Sequence, residues 1–399
     1  MKRLKLLSLT LVVVLSAIWV FPSSARIPIS VLTQQGDTLQ GLARDHQVSV
    51  GQMLEENPQL KNAGALTPGQ WIYLPPEAQL PNEPVFAISA PSETELKFVL
   101  QELTADRVYR ILGRQYHFAQ WMGVPVVAFA TGGSMDNPAI GVTVAIDNFN
   151  VERFCYQGIG GAGHGVNIGD VLVATGVVPG SGHGNVAPLQ TPLGDVVIGT
   201  YWSYYYGEPV IGDNVNEGRL VFTPEASFME KVLQSAGEVE LPVVNQEVAD
   251  YLSFFYGEPW DVYQSQIRDG WTSTGPFVTS DLYLTQIETR SQILAGLNGI
   301  PGPDFIAVDM EDYGAIHAAI EAGVDQWCVI RSTVDLARER IPGESSYHGV
   351  PWDQRDDPSQ PWAWLSENRG TYGYFADYDY FYRLPYLVMK QIVEDWGLN

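Results

Sequence analysis

The chain has 399 residues, 45% of them hydrophobic and 17% charged, with 22 Lys and Arg against 46 Asp and Glu for a net charge of −24. That length accommodates a core domain with an accessory module, and the acidity excludes nucleic acid and anionic membrane surfaces as partners by simple repulsion. Cys155 and Cys328, each inside an apolar run, are too few for a disulfide framework and read as buried small hydrophobes, with a single bridge between them as the alternative. The first element is "MKRLKLLSLTLVVVLSAIWVFPSSA", where Lys2, Arg3 and Lys5 precede an apolar run that ends in Ser23, Ser24 and Ala25. A basic start, an apolar middle and a small-residue end are the parts of a secretory signal peptide. Residues 1–25 are therefore expected to be removed on export, and the protein to be secreted, periplasmic or associated with the cell envelope. A retained membrane anchor is the alternative, although the run is short for a span. Removal takes away three cations and no acids, leaving −27.

Residues 26–80 read as strand, helix, helix, strand. Asp37 is placed to cap a helix carrying Leu39, Leu42 and Ala43, and Ser49 to cap one carrying Met53 and Leu54. Pro68 and Gly69 then turn the chain into the short strand "QWIYLP". The order of elements, with the phrases "GDTL", "VSVGQMLEENP" and "LTPGQWIYLP", resembles a LysM domain over nearly its full length. The resemblance implies binding to the N-acetylglucosamine-containing glycan of peptidoglycan or chitin. "PPEAQLPNEP", Pro75 to Pro84, follows as a semi-rigid linker.

From Val85 onwards apolar strands alternate with helical segments, which predicts an α/β domain over residues 81–399 with a largely buried mixed sheet and its sites beyond the strand ends. "VFAISA" is a strand, and "SETELKFVLQEL" a helix capped by Ser92 with Leu96, Val99 and Leu100 on one side. "VPVVAFATGG", "FCYQGIGGAGHG", "DVLVATG" and "DVVIGTYW" read as further strands. "DFIAVDM" then leads into a helix from Gly314 to Ala322, and "QWCVIRS" into a helical "TVDLARE". Residues 202–270 break the rhythm; aromatic, acidic and carrying "YYGEP" and "FYGEP", they read as a long insertion or lid.

Three strand ends collect the residues that could do chemistry. Glu93 lies just past "VFAISA", where the plain reading is a helix-start acid beside a Ser92–Glu95 capping box. The glycines of "QGIGGAGHGVNIGD", Gly158 and Ile159 among them, leave backbone N–H groups open to a ligand, but their spacing is neither a P-loop nor a dinucleotide fingerprint. His164 and His183 lack the partners of a metal site. In "AVDMED" and "VIRSTVD", Glu311, Arg331 and Asp335 stand at the ends of apolar runs, where a helix-start acid is again the plain reading for Asp335.

Together, "ISAPSE", "GIGGAGHGVNIGDVLVATG", "AVDME" and "VIRSTVD" resemble the nucleoside phosphorylase superfamily, in particular the 5′-methylthioadenosine/S-adenosylhomocysteine nucleosidases and the plant bark storage proteins. The resemblance implies a nucleoside phosphorylase-like sheet flanked by helices, a purine nucleoside as substrate, no cofactor or metal, and room for a homo-oligomer. Residue by residue, it makes Glu311 the ribose-binding carboxylate with Met310 packed on the sugar. It makes Asp335 the acid that protonates the leaving purine, Glu93 the residue that deprotonates the attacking water and Arg331 the cation beside that water. Tyr283 falls under the base, and Gly158 and Ile159 line the nucleophile. Asp309 and Asp312 are left as surface or capping acids. Ile159, where hydrolytic members carry a small or hydroxyl residue, and Val334, where they carry Ser, depart from the pattern. Phosphorolysis is an alternative that would want a cationic phosphate pocket, and "SETELKF" offers no Arg near Glu93. A non-catalytic, storage-like nucleoside-binding envelope protein is another; Ile159 favours it and the three carboxylates oppose it.

Overall fold

The computed structural model describes residues 27–60, 66–162, 169–179, 222–242, 272–279, 307–335 and 378–397, with residue 166 and the short pieces 189–191, 194–196, 346–347 and 350–351. The leader, His164, His183 and Tyr283 lie outside the described residues, as does most of the expected insertion. Two compact units divide the chain: residues up to Gln79 together with Arg110–Gly113, and the remainder.

In the first unit, β1 (Ile29–Leu32) and β2 (Trp71–Tyr73) pair antiparallel and enclose α1 (Leu39–Asp45) and α2 (Val50–Glu56). Val31, Leu39, Leu42, Met53 and Ile72 form its core. Ser49 caps α2 through a complete capping box with Gln52. The cap of α1 is Thr38, whose hydroxyl accepts the Gly41 N–H, and not Asp37. Asp37 instead turns back to accept the Gln34 N–H at 2.7 Å, a local bond that short acidic side chains make readily in turns.

The second unit is built on a mixed sheet. In chain order its elements are β3 (Val85–Ala90), α3 (Glu93–Glu102), β4 (Arg107–Ile111), β5 (Arg114–Trp121), β6 (Val124–Ala130), α4 (Asp136–Asn148), β7 (Val151–Ala162) and β8 (Val171–Pro179). A small antiparallel pair, β9 (Leu189–Thr191) with β10 (Gly194–Val196), precedes α5 (Ala226–Glu238) and β11 (Thr272–Thr279). Then come β12 (Ala307–Asp309), α6 (Asp312–Glu321), β13 (Trp327–Asp335) and α7 (Tyr378–Gly397). The strands lie in the order β12-β11-β8-β13-β7-β3-β6-β5-β4, and β12 also pairs with β7, so that β12, β11, β8, β13 and β7 close on themselves. β6, β3, β7 and β13 run parallel, which brings their C-terminal ends to one edge.

A continuous apolar strand is buried on both faces, and β3 is buried at all six positions. On one side α3, α5 and α7 supply Leu96, Val99, Phe228, Val232, Leu384, Val388, Met389 and Ile392 to the core, each contributing about 1.5–3 kcal/mol by leaving water. On the other side α4 packs on α6, and the contact is close because of Gly314: a Cβ there would stand 2.0 Å from the Met135 carbonyl oxygen. Helix α7 contains Pro385, which has no N–H to offer the carbonyl of Phe381 four residues earlier. The Ser332 hydroxyl of β13 donates to that carbonyl at 2.6 Å, so the strand that carries Arg331 is tied to α7 at the helix's own break.

Cys155 and Cys328 are free, fully buried and directly opposed across β7 and β13. Burial pushes the Cys155 thiol up, and its neighbour Cys328 adds to the rise. The helix predicted from Gly314 begins two residues earlier, at Asp312. The predicted "TVDLARE" helix does not begin at Thr333: Thr333, Val334 and Asp335 continue β13, paired with β7 as far as Gly161.

Candidate active site

Arg331 stands at the centre of the converging strand ends, its side chain only 1% exposed. β13 is paired with β7 so that Arg331 lies opposite Gly158. That glycine makes the space, since a Cβ at 158 would stand 2.4 Å from Arg331 Nη1 and 2.5 Å from Glu95 Oε2. Gly158→Ala should therefore cost about 1–3 kcal/mol in urea unfolding, the usual penalty of overpacking a rigid interior. An unchanged unfolding midpoint would mean that the cluster spreads freely.

The guanidinium is surrounded by carboxylates. Its Nε donates to Asp312 Oδ1 at 3.1 Å, and Nη2 donates to Asp312 again and to Glu311 Oε2 at 3.2 Å. Nη1 donates to the Ile159 carbonyl at 2.9 Å and lies 3.9 Å from Glu95 Oε2. Asp309 Oδ1 is 3.9 Å from Nη2. Tyr156 lies below, its ring centroid 5.2 Å from the guanidinium carbon, with its hydroxyl 2.9 Å from the Thr131 hydroxyl.

The turn from β12 into α6 explains how three acids crowd one helix start. Asp309 Oδ1 accepts the N–H groups of Glu311 and Asp312 at 2.8 and 2.7 Å, while Thr279 donates to Asp309 and accepts the Tyr313 N–H. Asp309 thus does the capping, as expected from the sequence, and Glu311 is free to face inward. Met310, between them, is half-buried. The loop after β6 walls the other side: Gly132 turns it at φ +93°, and a Cβ at Gly133 would lie 3.6 Å from Glu311 Oε1.

Two expectations fail. Glu93, expected at the water, is exposed in the first turn of α3, and its charge acts on His117 of β5 instead. The carboxylate in the cluster is Glu95, 9% exposed, whose Oε2 accepts the Ile159 N–H at 3.1 Å. The reason is helical geometry: Glu95 shares the buried stripe of Leu96 and Val99, and Glu93 lies about 200° round the axis from it. The signal was present in that stripe. Asp312, expected as a surface or capping acid turned away from the pocket, is fully buried in the closest carboxylate contact of Arg331, because the first turn of α6 faces the sheet.

Four carboxyls facing one cation cannot all be ionised cheaply. Burial pushes Glu311 up to about 7, against the pull of Arg331, with Asp309 and Glu95 adding to the rise. Glu95 is likewise raised by burial, with Arg331, the Ile159 N–H and the Ser92 hydroxyl opposing. Burial raises Asp312, Arg331 pulls it down, and the charge of Asp309 raises it again. Burial alone would lower Arg331, but Asp312, Asp309 and Glu311 outweigh it and keep the guanidinium charged. The site holds protons near neutrality beside a fixed cation, which suits it to move a proton and to face a developing positive charge.

Of the residues singled out from the sequence, Glu311, Arg331, Gly158 and Ile159 come together. Ile159 contributes its N–H and carbonyl, which any residue but proline supplies at that position. Asp335 ends β13 opposite Gly161. Among the described residues no His, Cys, Asp and Glu cluster has the arrangement of a metal site.

The model of the phosphorylase superfamily matches residues 85–357, and that of the LysM domain residues 33–75. The chain belongs to the phosphorylase superfamily and carries a LysM domain ahead of the matching region. It is 32% identical over 91 residues to a 5′-methylthioadenosine/S-adenosylhomocysteine nucleosidase of Maridesulfovibrio salexigens, a stretch that is 23% of this chain and 39% of that relative. The match thus spans about two fifths of the relative's length. Among solved structures it resembles the nucleosidase of the same name from S. pneumoniae with a transition-state inhibitor, at a TM-score of 0.50 and 17% identity over 79% of this chain and 99% of the other. It also resembles futalosine hydrolase of Helicobacter pylori, at a TM-score of 0.48 and 14% identity over 78% and 97%. The fold is nucleosidase-like.

Proposed function

We propose that this chain hydrolyses the N-glycosidic bond of a purine nucleoside. The observation that carries this reading is the balance of charge around Arg331. Breaking the bond between C1′ and the purine nitrogen builds positive charge on the sugar and negative charge on the base. Glu311 accepts the ribose hydroxyls and faces that cation, with Met310 against the sugar. Glu95, held beside Arg331 and the Ile159 N–H, takes a proton from water as its oxygen bonds to C1′. Asp335 gives a proton to the departing purine, the role that the family resemblance assigns to it. Phosphorolysis fits less well: a phosphate nucleophile needs cations, and Arg331, the cation at the centre of the described cluster, is already engaged by Asp312 and Glu311.

The test is release of free purine from 5′-methylthioadenosine, S-adenosylhomocysteine and unmodified nucleosides, with and without inorganic phosphate. Release should be independent of phosphate and yield free sugar. A strict requirement for phosphate, or nucleoside binding with no release, would overturn the hydrolytic reading.

The LysM domain supports a second part of the proposal, that the protein is exported and held on cell-wall glycan. The full chain should be retained by insoluble peptidoglycan or chitin and a chain lacking residues 26–80 should not. Recognition of a neutral sugar should also survive moderate salt. The exported protein should begin near Arg26; an intact Met1 in the membrane fraction would favour an anchor.

A further inference from the structure

We propose that Ser92 is a positioning residue for this site, its one hydroxyl serving both as the cap of α3 and as the clamp that aims Glu95. The inference rests on the nucleosidase reading for its consequence but on separate contacts for its geometry. Ser92 Oγ accepts the Glu95 N–H at 3.2 Å and donates to Glu95 Oε1 at 3.1 Å. With Oε1 so held, Oε2 is turned to the Ile159 N–H and towards Arg331 Nη1. Gln157 of β7 adds a donor to the Glu95 main-chain carbonyl at 3.0 Å, fixing the same residue from the sheet. A carboxylate held at both oxygens has one orientation, and a small misplacement of a reacting group costs rate steeply.

The charged and titratable groups facing Glu95 are Arg331 from β13 and Glu311 from the β12–α6 turn, with Asp309 and Asp312 beyond the guanidinium. The Ser92 hydroxyl and the Ile159 N–H are neutral donors that favour its charged form. Removing the Ser92 donor therefore raises the Glu95 midpoint further, by about half to one pH unit, the worth of one neutral hydrogen bond. A base must be ionised to act, so the acid limb of the pH profile moves to higher pH.

The experiment compares three variants of the full chain. Ser92→Ala loses cap and clamp. Ser92→Gly keeps most of the cap, at a cost of only a few tenths of a kcal/mol, but has no hydroxyl to donate and adds no charge beside Glu95. Ser92→Thr keeps both. The readouts are the acid limb of purine release and the 13C titration of the Glu95 carboxyl, identified by its loss in Glu95→Gln. The acid limb and the midpoint should rise in both the Ala and Gly variants and hold at the wild-type value in Thr. Below the midpoint kcat should fall about 3–10-fold, and part of the loss should persist at high pH, where Glu95 is ionised but no longer aimed. If the Gly variant titrates as wild type and the Ala variant merely loses stability, Ser92 is only a cap and the proposal is overturned. Should wild type release no purine at all, the nucleosidase reading fails; a raised Glu95 midpoint in Ser92→Ala would still support the clamp, and an unmoved one would overturn it.

Discussion

Glu95→Gln should lower purine release by about 10²–10⁴-fold, the range over which a positioned general base is felt, while Glu93→Gln, two residues earlier, should stay within about twofold. The carboxamide is close in shape but accepts no proton from water. Nucleoside affinity, measured by calorimetry on both variants, should change far less than kcat, because the loss falls on an interaction made in the transition state. In wild type the acid limb should lie above the ordinary carboxylate range, because burial raises Glu95, and activity should grow as pH rises through that value. Equal damage from Glu93→Gln and Glu95→Gln would sink the assignment.

Arg331→Met should cost about 3–5 kcal/mol of stability near neutral pH, since it removes the cation from a buried cluster and leaves its carboxyls without a counter-charge. The sign with pH follows from the carboxyls. Their folded-state values, already raised for Glu95 and Glu311, rise further without the guanidinium. A carboxyl with a raised folded-state value leaves stability intact below its unfolded value and removes it as pH climbs through the folded one. The deficit, read by urea unfolding, should be small near pH 4.5 and should still be growing as pH climbs past about 7, where wild-type Glu311 ionises and the variant's does not. A deficit independent of pH would mean that Arg331 acts by packing and not by charge.

Much of this arrangement was legible in the sequence, because burial writes itself into composition. "VFAISA" and "QWCVIRS" are continuous apolar runs and are strands buried in the sheet; Ser92 and Ser49 are caps where caps were expected. What stayed hidden was rotation. Glu93 and Glu95 are equally acidic, and only the position of Leu96 and Val99 on the helix says which of them turns inward. Asp312 read as a surface or capping acid because its partner, Arg331, is 19 residues away in sequence and meets it only once β12 and β13 have both paired with β7. Helix α7 was hidden by Pro385, which argues against a helix until Ser332 is seen to satisfy the carbonyl that proline strands. The β4–β5 hairpin was missed because alternating polar and apolar residues around Leu112 and Gly113 lack a strong turn signal; Leu112 adopts a φ of +48° that its type rarely takes.

Gly314 joins two segments that the chain keeps far apart. Its missing side chain is occupied by the Met135 carbonyl, 179 residues upstream in the loop that walls the cluster. Any heavier residue at 314 would force that loop to be rerouted away from its place beside Glu311. Among descendants and relatives of this sequence, position 314 should therefore remain glycine whatever side chain stands at 135, since every residue brings the same carbonyl. Drift at 314 is closed off by the backbone of 135, however freely the neighbouring surface residues of α4 and α6 diverge.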